Sequence, residues 1–246
     1  MKKQQKIIAA VFIALLLIFE FLIPSNRFIP KPSLIYHSCI DLFTEYKIFL
    51  NLTNTISVIY LPALFAFVFF YIFFQILSNE NPLSLFIYST DWIVKYIPSI
   101  ILGLIMILWF PESRIIEYIF SFLICFFPLF TKINKRLKEI PEEYIHSAVS
   151  LGYTSTEISR KIELPFVMPD LIRTFRKIHI YHWSMILIFE YFQKLFGLGA
   201  IINQLIFYKD LSGLFALIFL LWLIVFVISK ALLFIEYKFF FWKEEF

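Results

Sequence analysis

Residues 54–77, NTISVIYLPALFAFVFFYIFFQIL, decide the fold: 24 residues without a formal charge. At a rise of about 1.5 Å per residue, a helix of that length crosses a hydrocarbon core of roughly 30 Å. The run is far longer than a barrel strand and lacks period-two alternation. Because backbone groups in lipid have no water to bond, a helix is the one spanning structure open to it. Working outward, five further apolar runs follow the same reading, roughly Ile7 to Ile23, Trp92 to Phe110, Ile115 to Phe130, Ile178 to Phe196 and Leu214 to Leu233. The chain is 61% hydrophobic with mean hydropathy +0.82. The expected fold class is therefore all-α, a polytopic membrane protein of about six transmembrane helices, with residues 1–246 as one transmembrane domain.

Lys2, Lys3 and Lys6 precede the first run, which is long, Phe-rich and followed by Pro24-Ser25-Asn26 rather than by small residues of a cleavage site; it reads as an uncleaved anchor. With a cytoplasmic N-terminus, six spans leave fourteen lysines and arginines inside and six outside. That asymmetry satisfies the positive-inside rule and makes the polar segment 132–177 cytoplasmic. The net charge of +4 is mostly a topology signal, so nucleic-acid binding is not implied. Cys39 and Cys125 fall in an outer loop and a span, which argues against a disulfide and against a metal-type spacing. Phe 33 against Gly 5 is in its plainest reading a compositional bias, under which the remaining glycines hold positions other residues cannot.

Within segment 132–177 two short helices surround one glycine. Pro141 followed by Glu142 and Glu143 signals a helix start, since proline lacks a donor that would be orphaned there and the carboxylates face the positive helix end. That helix is predicted over Pro141 to about Ser150. Gly152 supplies the left-handed closing residue, and Thr154-Ser155-Thr156-Glu157 is a capping box opening a second helix, predicted to stop at Leu164 before Pro165. The result is a compact, stiff knob. Taken alone it also fits an amphipathic pair lying on the membrane surface.

The segment resembles the EAA loop of ATP-binding cassette importer permeases, in which Glu-Ala-Ala, three residues, Gly and a closing Ile-x-Leu-Pro recur. Here His146, Ser147 and Ala148 stand at the triplet, Gly152 at the glycine, and Ile162-Glu163-Leu164-Pro165 at the close, with Pro169 beyond. The nearest subgroup is that of permeases for nitrate, sulfonate, taurine and similar solutes. It is matched by Pro30-Lys31-Pro32-Ser33, Phe126-Phe127-Pro128, Trp183, Glu190, Gly197-Leu198-Gly199 and Trp242. The resemblance implies a transmembrane permease that moves a small solute by alternating access. It also implies separate ATP-binding ATPase subunits acting on the loop, a second permease subunit in a homo- or heterodimer, and an extracytoplasmic solute-binding protein. The coupling residues so implied are Glu142, Glu143, His146, Ser147, Ala148, Gly152, Glu157 and Pro165. The family usually carries glutamate at the position of His146, alanine at Ser147 and often arginine at Val149. These departures require either a changed partner surface or substitution by Glu142 and Glu143. Small residues common in the family's second span are also scarce here, where Phe67, Val68 and Phe69 follow Ala66; looser helix contacts or compensating changes are expected.

The chain has no G-x-x-x-x-G-K-[ST] phosphate loop, so an ATP-driven motor must be another polypeptide, and it has no nucleophile-base-acid set. Neither a cofactor nor an enzymatic role is expected. Glu190, deep in an apolar run, marks either a translocation-path or inter-helix position or an outer end that reaches water. Glu20, Lys230 and Glu236 read as interfacial, and Asp91 with Lys95 as an i,i+4 ion pair. His179 and His182 share a helix face but lack a third metal ligand at suitable spacing. Two rivals stay open. One is an ion-coupled secondary transporter using Glu190, although neither paired intramembrane acids nor internal repeats are evident. The other is a non-transporting scaffold derived from a permease.

Overall fold

The computed structural model describes residues 11, 14, 16–22, 29–78, 82–94 and 96–240. Most of the first apolar run, the Asp91–Lys95 pair and Trp242 lie outside the described groups. The described chain is helical and contains no strand. Its helices are α1 (Pro32–Thr44), α2 (Ile48–Ser78), α3 (Pro82–Val94), α4 (Ser99–Trp109), α5 (Arg114–Leu137), α6 (Glu142–Ser150), α7 (Ser155–Ile158), α8 (Leu164–Gln193), α9 (Leu198–Phe207) and α10 (Leu211–Phe239).

Three described helices, α2, α5 and α10, are long and apolar enough to cross a membrane; the bent pair 155–193 plus 198–207 makes a fourth if it is one span. The run expected from Trp92 to Phe110 is not one helix: it breaks before Pro98, and only Ser99–Trp109 continues. Pro98 removes a backbone donor and pushes its predecessor out of the α region. The resulting 11-residue helix reaches about 16 Å, roughly half a hydrocarbon core.

α5 packs along both α2 and α8, and these three helices carry the core. Aromatic rings fill the contact where small residues were expected. Ala63 and Ala66 are buried, and beside them Phe70 stacks on Phe126 with ring centroids 4.9 Å apart. Phe126 stacks in turn on Phe122 and Phe130. Such pairs contribute about 0.5–1.5 kcal/mol each beyond their buried area.

Prolines inside spans create a second kind of contact. Pro62 has no N–H, so the carbonyl of Val58 lacks its helical donor. The Ser121 hydroxyl of α5 supplies that bond at 2.6 Å. Ser121 has then used its single hydrogen, so the 2.8 Å contact with His182 Nε2 is a bond that the imidazole N–H donates. One missing backbone donor thereby ties α2, α5 and α8 together.

Candidate functional site

The polar hairpin begins where α5 ends. Pro141 takes extended φ/ψ (−60°, 130°) and caps α6 rather than forming its first turn, leaving Glu142 and Glu143 in that turn. At the other end Gly152 has φ +83°, and the N–H groups of Tyr153 and Gly152 bond Ala148 O (3.0 Å) and Val149 O (2.9 Å), a complete Schellman closure. The capping box follows: Glu157 N–H donates to Thr154 Oγ1, and the Glu157 carboxylate accepts from Thr154 N–H. Lys161 Nζ donates to the same carboxylate at 2.9 Å. That bond first, and the capping bonds second, hold the Glu157 carboxyl down to about 2.

The predicted stop before Pro165 does not occur. The chain passes through a single π turn, Ser159–Glu163, in which Leu164 N–H bonds Ser159 O, and runs straight into α8 with Pro165 in its first turn. The wider turn absorbs the proline where an α-helical ladder would place its ring against a carbonyl. The second arm of the hairpin is therefore continuous with the long helix behind it.

Of the residues named from sequence, Glu142, Glu143, His146, Ser147, Gly152 and Pro165 are exposed, Glu157 is partly so, and Ala148 is buried. Glu142 and His146 approach to 4.0 Å across one turn. They line a surface, not a pocket. On the hairpin Tyr144, Val149, Leu151 (75% exposed) and Tyr153 add exposed apolar side chains that the sequence reading passed over. The signal was there, since apolar residues in a short polar hairpin with no core of its own have nowhere else to go.

Polar pairs bind the hairpin's base to three helices. Arg136 of α5 meets Asp170 of α8 at 2.6 Å, with Lys132 at 4.0 Å. Gln75 of α2 donates to Thr156 at 2.8 Å. Arg173 and Arg176 of α8 both bond Glu236 of α10, at 2.8 and 2.6 Å. Glu236, read from the sequence as interfacial, is clamped, because an i, i+3 pair of arginines on one helix face converges on its carboxylate.

At the opposite end of α8, Glu190 is 0% exposed. It does not reach water. Thr55 Oγ1 of α2 donates to its Oε1 (2.6 Å) and Gly199 N–H to its Oε2 (2.8 Å), while Leu198 N–H donates to Thr55 Oγ1 (2.9 Å) and Gly197 N–H to Asn51 Oδ1 (2.8 Å). The glycines allow this closure. Gly197 has φ +94°, and a Cβ on Gly199 would fall 2.1 Å from Leu187 O. Glu117, in the first turn of α5, is a second buried acid, 4% exposed. Sequence reasoning missed Glu117 because it stands beside Arg114 at a span's start, where a charge looks interfacial.

His179 and His182 enter separate networks. His179 Nε2 accepts from Tyr60 Oη (2.6 Å) and Trp183 Nε1 (3.1 Å), whereas His182 faces Ser121.

The helical membrane bundle is thus joined at one end by a buried acid and carries a stiff polar hairpin at the other. The family described as "Binding-protein-dependent transport system inner membrane component" matches residues 72–238, more than half of the chain. The chain belongs to that family. It is a permease subunit of a binding-protein-dependent ATP-binding cassette transporter, a protein of the inner membrane. Such families are transporters and generally not enzymes, and their partners are an ATPase and a solute-binding protein. No curated protein matches the chain.

Proposed function

We propose that the protein carries a small solute inward by alternating access, driven by ATPase subunits that engage the hairpin of residues 141–164 from the cytoplasm. The single observation behind this reading is the hairpin itself. Both its ends are locked by backbone and capping bonds, yet it presents Tyr144, Val149 and Leu151 outward. A rigid element with an exposed apolar face suits a partner surface. Force on it would pass without a joint into α8, and through Arg136–Asp170 into α5. The excess of lysine and arginine in segment 132–177 supports its cytoplasmic side.

A second permease copy or a homologue would complete the pathway, and a binding protein would deliver the solute at the opposite end. Pro30-Lys31-Pro32-Ser33 and Gly197-Leu198-Gly199 favour the nitrate, sulfonate and taurine subgroup. The test is co-purification of the ATPase with the full chain and with Leu151→Glu. Wild-type recovery and loss in the variant support the reading; equal recovery of ATPase with both, or with neither, contradicts it.

One observation favours the ion-coupled alternative: α5 and α8 each bury an acid, Glu117 and Glu190, where the sequence had suggested one. Uptake that persists after ATP depletion but disappears in Glu190→Gln would establish it.

A further inference from the structure

The carbonyl that Pro62 releases in α2 is answered by the Ser121 hydroxyl at 2.6 Å. Pro128, inside α5, deprives Ile124 O of its helical donor in the same way. Here no side chain among the described residues bonds the released oxygen. Ile124 and Pro128, the two ends of the missing bond, instead both line a cavity of about 400 Å³ bordered by α4, α5 and α8. That volume lies in the range of roughly 300–1,000 Å³ usual for small-molecule sites.

The cavity sits at mid-depth. Ile124 lies about 15 Å along α5 from Arg114, half of a roughly 30 Å hydrocarbon core. On the facing side the apolar run is broken before Pro98, and Ser99 and Leu102 of the short helix α4 line the same space. Irregular backbone at such a depth is tolerated where it borders protein or a polar cavity, and broken helices at the midplane are where transporters hold their solutes.

Three hydroxyls stand on the wall. Tyr181 donates its hydrogen to Ser99 Oγ at 2.7 Å, and Thr131 donates to Phe127 O at 3.0 Å. Ser99 has then accepted one bond and keeps its own hydrogen to donate. The cavity thus offers an acceptor at Ile124 and a donor at Ser99, between the apolar side chains of Leu102, Leu123 and Phe127. An acyl chain satisfies neither group. A bare oxyanion, which brings acceptors alone, sets its lone pairs against Ile124 O, and no described lining residue is charged to offset this.

We propose that this cavity is a solute site within the single subunit, and that the solute it takes is a small polar molecule carrying its own N–H or O–H donor beside an acceptor. The donor pairs with Ile124 O and the acceptor with the Ser99 hydroxyl. The proposal rests on the permease reading and narrows its solute class: bare oxyanions are excluded, and amine-, amide- or hydroxyl-bearing solutes are admitted.

The test is saturation-transfer NMR on the full chain in nanodiscs, with the signal of empty nanodiscs subtracted. The probes are acetamide and acetone, which are nearly equal in size, and acetamide alone has N–H donors. In wild type the acetamide signal is expected to exceed that of acetone several-fold. Pro128→Ala, which returns a helical N–H to Ile124 O, and Ser99→Ala should each bring it down to the acetone level. Equal signals from the two probes in wild type would overturn the proposal, as would an undiminished acetamide signal in folded Pro128→Ala. Should Pro128→Ala fail to fold, Ser99→Ala decides by the same comparison. ATPase co-purification from the same preparations reads the hairpin separately, so ATPase recovery with equal probe signals refutes this site while the permease reading stands.

Discussion

Arg136 and Asp170 face each other at 2.6 Å across the base of the hairpin, one near the end of the helix that enters it and the other in the helix that leaves it. Thirty-three residues of chain leave the bilayer end of α5 and return beside it, and this pair, with Lys132 behind it and Phe166 under the guanidinium, fixes the return point. The carboxylate is mostly buried and the guanidinium one-fifth exposed, so the pair is intermediate between a surface bridge and an interior one.

Asp170→Asn should therefore reduce stability by about 1–3 kcal/mol, between the values for exposed and buried pairs. The more informative readout is coupling. The variant is expected to insert and bind ATPase but to show ATP hydrolysis with several-fold less uptake per ATP, measured in proteoliposomes. Unchanged stoichiometry would mean that the pair only supports the fold.

Gly152→Val should uncouple transport while leaving membrane insertion intact. A Cβ at Gly152 meets nothing within 4 Å, so the penalty comes from the backbone alone, at φ +83°. For a β-branched residue that is of order 1–2 kcal/mol or more, enough to shift the Schellman closure but not to unfold the spans. Protease accessibility for insertion and uptake for coupling separate the two effects.

Gly199→Ala should be far more damaging than its size suggests. Its added carbon would lie 2.1 Å from the backbone oxygen of Leu187 and 2.6 Å from Glu190 Cβ. Because backbone cannot step aside as a side-chain tip can, the cost is expected at the upper end of the overpacking range, about 3 kcal/mol. A marked fall in melting temperature and yield is the expected result.

Acid should loosen the hairpin before it loosens the spans. Glu157 is held at about 2 by Lys161 and by the capping bonds, against an ordinary value of 4.5. A depressed carboxyl contributes stability above its unfolded value and loses it as pH falls through the folded one. Hydrogen exchange of Thr154–Ile158 in the full chain should thus be slow above pH 4.5 and quicken towards pH 2. Glu157→Gln should exchange at a rate independent of pH over that window, once the intrinsic rate is divided out.

Local signals were legible without any structure. The charge-free run at 54–77, Gly152 and the Thr154–Glu157 box depend on contacts within a few residues, or on the bilayer as a solvent, and both are written in linear order. The break at Pro98 was equally local, but the apolar pattern on each side concealed it. What no linear reading supplied were the encounters between helices: Thr55 on Glu190, Arg173 and Arg176 on Glu236, and Ser121 on the carbonyl freed by Pro62. These groups lie about 60 or more residues apart, so which meets which depends on the rotation and depth of each helix. Thus sequence alone determined a helical membrane protein with a capped hairpin, and tertiary packing decided which buried polar groups satisfy one another, because a polar atom in lipid must take its partner from whatever helix packing places beside it.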